Sequence, residues 1–123
     1  MNNSNPFDLL VIFTQPPLTA SLAKEGLDLS LVSSTFEQHT GLVFLGAGIL
    51  QLNKNQQPDI LALKGTQAML KALGLYGIEQ IYVEEQALLD YGLKNTDLLL
   101  PVESCSLARL QRLVATSRNV FTF

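Results

Sequence analysis

The chain has 123 residues, enough for one domain with one hydrophobic core and too few for two. Its net charge is −3 and its eight Lys and Arg residues are scattered, so we expect no basic patch that would hold RNA or DNA tightly. One cysteine excludes an internal disulfide and a thiolate metal cluster, and one histidine argues against a histidine-based metal site or catalytic triad. No cofactor is expected.

Hydrophobic residues make up 47% of the chain and charged residues 15%, which is apolar for a water-soluble protein. This balance predicts a sheet covered on both faces and a surface partly buried by partner chains. The apolar runs are strand-sized, so no membrane span is expected. Residues 1–6 are polar and lack the basic start of a secretory signal, which predicts a flexible amino terminus and a cytoplasmic protein.

The first predicted unit is a strand followed by a helix. Asp8 to Gln15 is a continuous apolar run, typical of a buried parallel strand. A helix then extends to about Phe36, with Thr19 or Ser21 as its N-cap. Gly26 within this helix indicates a close approach to the sheet, because glycine otherwise weakens a helix. Helical spacing predicts an inward face made of Leu22, Leu29, Val32 and Phe36.

The second predicted unit repeats this pattern. Gly41 to Gly46 is interpreted as a strand, and the segment from Ala47 to Pro58, polar toward its end, as an exposed loop. A helix from Ile60 to Leu73 follows, with Asp59 as its N-cap. Its predicted core residues are Leu61, Met69, Leu70 and Leu73.

A helix end, a turn and a third strand follow within a short stretch. Gly74 and Gly77 are expected to supply the positive φ angles with which the helix ends and the chain reverses. Gln80 to Val83 is a β-favouring run, and Glu84 and Glu85 follow where a new helix should begin. In α/β proteins, ligands and reactive groups lie at the carboxyl ends of strands. Here that place holds Glu84, with no nucleophile beside it.

The last third of the chain completes the alternation. A short helix from Glu85 to Tyr91 ends at Gly92, and Leu98 to Leu100 is interpreted as a strand stopped by Pro101. A helix opened by Ser104 or Ser106 then runs to about Ala115, and Asn119 to Phe123 is the last strand. In that helix we expect Leu107, Leu110 and Val114 to face inward and Arg109 and Arg112 outward.

The order βαβαβαβαβ predicts the fold class. Strands alternating with helices form a mainly parallel sheet with helices on both faces. Residues 1–123 are therefore interpreted as a single three-layer α/β domain with five strands.

Several residues could carry chemistry, and most have a simpler interpretation. Gly46-Ala47-Gly48 follows a strand, but it lacks the third glycine of a dinucleotide site and the Gly-Lys-Ser/Thr of a phosphate loop, so we interpret it as a turn. His39 lies at the amino-terminal edge of the sheet and is interpreted as a solvated loop residue. Glu79, Glu84 and Glu85 are interpreted as helix-start and solvated charges rather than an acid/base cluster.

Cys105 is the only thiol of the chain. It lies near the start of the last predicted helix, where the helix dipole would lower its pKa. The nearest charge is Glu103, which Arg109 offsets in part. A small structural residue is the favoured interpretation, and Cys105 stays the one candidate for a catalytic or sulfur-carrying role.

Three blocks of the sequence stand in register with one known family. They are Lys24-Glu25-Gly26-Leu27-Asp28, Gly48 to Leu52 followed by Gln57-Pro58-Asp59, and Leu73 to Gln80. Together they resemble the TusC/DsrF branch of the DsrE-like sulfur-relay proteins, and the likeness extends roughly from Asp8 to Phe123.

This resemblance implies a flavodoxin-like fold and a heterohexamer, a dimer of heterotrimers, with TusB/DsrH-like and TusD/DsrE-like subunits. Such a complex passes persulfide sulfur toward 2-thiolation of the wobble uridine in tRNA, or serves sulfur oxidation in organisms with the DsrEFH version. In the TusD/DsrE-type subunits the sulfur-carrying cysteine lies just after the third strand. The like position here is about Glu84, which cannot carry sulfur, and Cys105 does not match that motif.

The first hypothesis is therefore a non-catalytic structural subunit of a sulfur-relay complex. Its predicted contacts with partner chains are Ile49, Leu50, Leu52, Leu75, Tyr76, Tyr82 and Glu84. The alternatives are a stand-alone sulfurtransferase with Cys105 as persulfide carrier and a ligand-binding flavodoxin-like module. A homo-oligomer of the isolated chain also stays open.

Overall fold

The structure is a computed structural model that describes residues 7–17, 22–54 and 61–123. All five strands of its sheet run parallel, in the order β4-β3-β2-β1-β5. The strands are β1 (Leu9–Phe13), β2 (Thr40–Phe44), β3 (Ile81–Glu84), β4 (Glu103–Cys105) and β5 (Asn119–Thr122). The α/β fold class is confirmed. The predicted flexible residues 1–6 and the predicted caps Thr19, Ser21 and Asp59 lie outside the described residues.

Helices cover both faces of this sheet, but unequally. The α-helices are α1 (Leu22–Thr35), α2 (Leu61–Ala72), α3 (Glu85–Asp90) and α4 (Leu107–Thr116). A 3₁₀ helix at Gly46–Leu52, called the 3₁₀ segment below, and two shorter 3₁₀ turns at Leu73–Tyr76 and Asn95–Asp97 complete the elements. Buried residues of α1, α2, α3 and the 3₁₀ segment share one core with one side of the sheet, called the α1 face. The other side, the α4 face, is covered by α4.

Three of the four buried residues of α1 are small: Gly26, Ser30 and Ser33, with Leu27 as the large one. A Cβ atom on Gly26 would lie 2.6 Å from a ring carbon of Phe13, so the predicted close approach is confirmed. Ser30 Oγ donates to the Gly26 carbonyl oxygen at 2.8 Å, which satisfies that buried hydroxyl inside the contact. The prediction that Val32 and Phe36 face the sheet is wrong: they are 54% and 75% exposed. At Gly26 the helix lies too close to Phe13 for a larger side chain to fit without displacing that ring.

The segment after β2 is a buried helix rather than an exposed loop. The 3₁₀ segment packs Ile49 and Leu52 into the core, both with no exposed surface. A Cβ atom on Gly48 would lie 2.0 Å from the Phe13 carbonyl oxygen, so only glycine allows this approach to the end of β1. The loop interpretation is therefore wrong for residues 47–52, and residues 55–58 lie outside the described residues.

The predicted strand Leu98 to Leu100 is wrong, and β4 lies at Glu103–Cys105 instead. Leu98 makes only an isolated antiparallel bridge to Asn53, and the Leu99 amide donates to the Leu52 carbonyl oxygen at 2.7 Å. The leucine run thus closes the α1-face core beside the 3₁₀ segment. The edge strand β4 needs little hydrophobicity, because its first two residues are exposed.

The last helix, α4, begins as expected but buries less than expected. Ser106 is its N-cap, and its Oγ accepts a hydrogen bond from the Arg109 amide at 3.2 Å. Leu110 is buried, whereas Leu107 and Val114 line a groove toward the sheet but remain 52% and 39% exposed. As the only helix of the described residues on its face, α4 leaves this apolar groove of about 150 Å³ between itself and β1 and β2.

Two glycines end helices in the left-handed conformation. Gly77 (φ 79°) follows the turn after α2, and Gly92 (φ 66°) follows α3, as predicted. The expectation of a positive φ at Gly74 is wrong, since the chain reverses at Gly77 alone. Within the described residues, no helix is long and apolar enough to cross a membrane.

Candidate functional site

The chain leaves two neighbouring strands in opposite directions at the carboxyl-terminal edge of the sheet. After β3 it enters α3 on the α1 face, and after β4 it enters α4 on the other face. The ends of these two strands are paired, with Glu84 in register with Cys105. In open α/β sheets, ligands bind in the crevice that such a divergence creates. This edge is therefore the candidate functional site.

Glu84 is held in place by the chain that follows β2. Its Oε1 accepts a hydrogen bond of 3.0 Å from the Gly46 amide, at the first residue of the 3₁₀ segment. A carboxylate at the N-terminal end of a helix is stabilised by the amides and dipole there. Glu84 therefore joins the end of β3 to the 3₁₀ segment, and its half-buried carboxylate occupies the strand end where a nucleophile would stand.

Cys105 is enclosed and poorly suited to be a nucleophile. The residue is 2% exposed, and its Sγ lies 3.8 Å from the Glu103 carbonyl oxygen. Burial raises the pKa of the thiol above its ordinary value of 9.0; Arg109 opposes this shift, while Glu103 and Glu85 add to it. Since the thiolate is the reactive form, the protonated thiol is a weak nucleophile at neutral pH. The expected lowering of this pKa by the helix start is outweighed by burial.

Arg109 covers the crevice from the α4 side. Its Nη1 forms an ion pair with Glu103 Oε2, and its guanidinium lies 5.7 Å from the centre of the Tyr82 ring. The pKa of Tyr82 is raised, first by burial and then by Glu103, while Arg109 opposes the shift. Tyr82 belongs to the same buried cluster as Cys105, and Arg109 is exposed, as predicted.

The glycines at the start of the 3₁₀ segment do not form a phosphate site. The Gly46 amide donates to Glu84, and the Gly48 amide donates to the Leu45 carbonyl oxygen at 2.8 Å. Phosphate loops need such amides free to point at the ligand. The prediction that Gly46-Ala47-Gly48 is not a nucleotide site is consistent with this use of its amides.

The other candidate residues are not brought together. His39 is exposed just before β2, where its Nε2 lies 2.7 Å from Gln80 Oε1, as expected of a solvated loop histidine. Glu79 precedes β3 and Glu84 ends it, so the strand separates them by about 16 Å. Among the residues that the structure describes, no group of three His, Cys, Asp or Glu could hold a metal ion.

The predicted partner contacts divide into buried and exposed residues. Ile49, Leu52 and Tyr82 lie in the chain's own core, at 0%, 0% and 6% exposure, so their side chains are not available to a partner. The correction follows from the 3₁₀ segment being packed rather than looped out. Leu75 is 88% exposed and Tyr76 46%, while Leu50 and Glu84 are half-buried. A contact between these four residues and a partner stays a prediction.

One exposed apolar surface was not found from the sequence. A groove of about 420 Å³ lies between α1 and β5, and its apolar walls include Val32, Phe36 and Phe121. Val32 and Phe36 were assigned to the core on hydrophobic spacing. The serines and glycine of the same helix were the signal that could have reversed that assignment.

The chain matches the model of one known family over nearly its whole length. The DsrE/DsrF-like family model covers residues 8–123. This chain belongs to the DsrE/DsrF-like family. The resemblance stated from the three sequence blocks is thereby confirmed.

Curated relatives are similar over most of the chain. The "Protein TusC homolog" of Vibrio vulnificus is 35% identical over 115 residues, which cover 94% of this chain and 98% of that protein. The protein of the same name from Pseudomonas aeruginosa is 35% identical over 114 residues, covering 93% and 96%. The crystal structure of the ychN protein from E. coli has a TM-score of 0.81 at 17% identity, covering 94% and 98%, which shows the fold alone.

Proposed function

We propose that this DsrE/DsrF-like chain is the TusC-type, non-catalytic subunit of a TusBCD/DsrEFH-like sulfur-relay complex. In this role it supports persulfide transfer toward 2-thiolation of tRNA wobble uridine in the cytoplasm, and in organisms with the DsrEFH version it serves sulfur oxidation. Its partners are TusB/DsrH-like and TusD/DsrE-like chains.

The observation that carries this proposal is the composition of the strand-end crevice. Its two strand ends hold Glu84, which is tied to Gly46, and the enclosed thiol of Cys105. A sulfur carrier needs an accessible thiolate, because only the thiolate attacks a persulfide or disulfide. Neither residue meets that need, so the sulfur-carrying group is expected on another chain.

The net charge of −3 supports a role in which this chain does not bind tRNA by itself. A chain with net negative charge and only eight scattered Lys and Arg residues gains little from the counterion release that drives binding to nucleic acid. Contact with tRNA is therefore assigned to the assembled complex or to a later carrier, not to this subunit alone.

The test is recovery of the tagged chain from its own cells, followed by mass spectrometry and native mass. We expect two further small DsrE-like chains in equal amount, one with a cysteine just after its third strand. Recovery of this chain alone, with a persulfide on Cys105, would transfer the assignment to the stand-alone sulfurtransferase. The burial and raised pKa of Cys105 disfavour that alternative.

Leu75 is the sharpest probe of the proposed partner contact. Replacing it with Asp should reduce partner recovery by about tenfold, because a contact at this leucine would have to desolvate the new carboxylate. Leu75 is 88% exposed, so the fold should be unaffected, whereas a change at half-buried Leu50 could act through folding.

The matched control is Leu89→Asp, a change of the same kind at a residue of α3 that is 75% exposed. It should leave both partner recovery and the unfolding temperature unchanged. If Leu75→Asp recovers the partner chains as well as the parent chain does, Leu75 is not part of the contact. The relay role would still be decided by which chains the tagged parent protein recovers.

A further inference from the structure

The two edges of the sheet are protected to different degrees. Strand β4 has three residues and carries Glu103, which forms an ion pair with Arg109. Strand β5, at the other edge, reads Asn119-Val120-Phe121-Thr122 and contains no charged residue and no proline. Natural proteins use short strands, charges and proline to keep sheet edges from pairing with other chains. Both edge strands are short, but only β4 carries a charged residue.

The backbone of β5 offers a defined set of hydrogen-bonding groups to another strand. The amide of Asn119 donates to the carbonyl oxygen of Asp8, just before β1, at 3.2 Å, and that of Phe123 to Ile12 of β1 at 2.8 Å. Because backbone groups alternate along a strand, those of Val120 and Thr122 point away from β1. Within the described residues, no backbone hydrogen bond reaches this outer side of β5. Two amides and two carbonyls therefore remain for a partner strand.

An uncharged apolar surface lies directly beside this edge. Phe121 is 51% exposed and lines the groove of about 420 Å³ together with Val32 and Phe36 of α1. The polar residues that complete its walls are Ser33, Gln38 and Asn119, and no charged side chain takes part. Exposed apolar area next to open backbone groups is typical of an interface that is covered in the assembled state.

We propose that β5 pairs antiparallel with β5 of a second copy of this chain, across a two-fold axis at Phe121. In this register Val120 of each copy lies opposite Thr122 of the other, and each such pair exchanges both of its outward hydrogen bonds. The two Phe121 residues then form the non-hydrogen-bonded pair, where opposed side chains come closest. The four outward groups of each copy are all satisfied.

A second copy fits this edge better than an unrelated strand for a reason specific to the segment. In a two-fold contact the same residues of both copies face each other, so a charged residue near the axis would lie close to a like charge. The residues of β5 are uncharged and therefore fit against a second β5 without such repulsion. The two-fold axis also brings two α1–β5 grooves together, so the apolar surfaces on both copies are buried by one contact. This pairing uses no other subunit, so it stands apart from the relay role.

The first test is the mass of the isolated chain as a function of concentration, by sedimentation. We expect a reversible dimer that Phe121→Lys converts to monomer, since two like charges would then face each other at the axis. Thr122→Pro removes only the outward amide, which an edge strand tolerates, and should raise the dimer Kd by about thirtyfold through two lost hydrogen bonds. Leu75→Lys, which adds the same charge away from the edge, should leave the dimer intact.

The second test measures the register directly. In a Cys105→Ala background, Phe121→Cys should form an interchain disulfide on mild oxidation, because the opposed Cα atoms would be about 4.5 Å apart. Asn119→Cys should not, since its two copies would lie about 13 Å apart along the strands. A chain that is monomeric at every concentration, or a dimer that both edge variants leave unchanged, would overturn the pairing.

The same cysteine variant separates a second copy from a different partner. If Phe121→Cys crosslinks to another protein in the complex recovered from cells and not to itself, β5 is covered by that chain and the two-copy pairing is wrong. The relay role depends on which chains are recovered, not on this crosslink, so the two proposals can fail separately.

Discussion

The two faces of the sheet are covered by helices to different extents. On the α1 face, a glycine and two serines let α1 approach closely, and the 3₁₀ segment seals the ends of the strands. On the α4 face, one helix with a single buried leucine leaves an apolar groove. Covered area sets most of the hydrophobic stabilisation. The α1 face therefore holds the fold together, while the α4 face keeps surface that can serve other contacts.

Gly48→Ala should test the tightest contact of the α1 face and have the largest effect. The added methyl group would lie 2.0 Å from the Phe13 carbonyl oxygen, a backbone atom that cannot move aside. We expect a loss of about 3 kcal/mol or more in the free energy of unfolding, measured with urea.

Gly74→Ala is its control, because nothing lies within 4 Å of the added atom and the φ angle of Gly74 is not positive. Its effect should stay within about 1 kcal/mol. A tolerated Gly48→Ala would mean that the 3₁₀ segment is free to move off β1, which contradicts the close packing described here.

Leu27→Ala and Leu110→Ala compare the two faces directly. Both residues are almost fully buried, at 1% and 2% exposure, one on each face. Truncating a buried leucine costs about 2–5 kcal/mol, more where the cavity cannot collapse. We expect Leu27→Ala near the upper end of that range and Leu110→Ala near the lower end, because α4 can shift toward its groove. Equal losses in urea unfolding would remove the distinction between the faces.

The smallest expected effect concerns the thiol beneath α4. Because burial raises the pKa of Cys105 in the folded chain, the unfolded chain releases this proton first as the pH rises. The stability from this group is therefore fully present below about pH 9 and is lost as the pH rises through the folded-state pKa. Cys105→Ala should flatten this alkaline decline, measured by urea unfolding between pH 7 and 10.

The raised pKa of Tyr82 acts in the same direction in both proteins, and Cys105 is the smallest cause of that shift, so the difference between them reports chiefly on the thiol. The parent thiol should also react slowly with iodoacetamide at pH 7. If stability declines equally with rising pH in Cys105→Ala and in the parent chain, and the parent thiol is alkylated rapidly, then the thiolate is accessible. That result would favour the sulfurtransferase alternative.

Hydrophobic pattern and glycine placement were enough to predict most of the fold. The runs of β1, β2 and β3 and the helix stop at Gly92 follow from local chemistry and lie where expected. The same reasoning failed for Val32 and for Leu98 to Leu100, because it assigned every apolar residue to the nearest regular element. Whether a leucine run joins the sheet or closes its end depends on contacts with Leu52 and Asn53, which are distant in sequence.

The candidate site could be located from the sequence but not described. The end of the third strand was predicted as the relevant place, and Glu84 lies there. Its partner Gly46 follows β2 and its neighbour Cys105 ends β4, so their distances depend on the order of strands in the sheet. The enclosure of Cys105 could not be predicted either, because this residue packs with residues from distant parts of the chain, among them Tyr82 of β3 and Leu110 of α4.

The position of β5 has a consequence for how the chain is made. The sheet places its last strand beside its first, and the Thr14 hydroxyl donates to the Phe123 carbonyl oxygen across 109 residues of sequence. During synthesis, β1 leaves the ribosome long before the strand that pairs with its outer side. We therefore expect the nascent chain to present the run Leu9–Phe13 with one open side until Asn119–Thr122 has been synthesised, and the pairing of these two strands to be slow because that contact is so non-local.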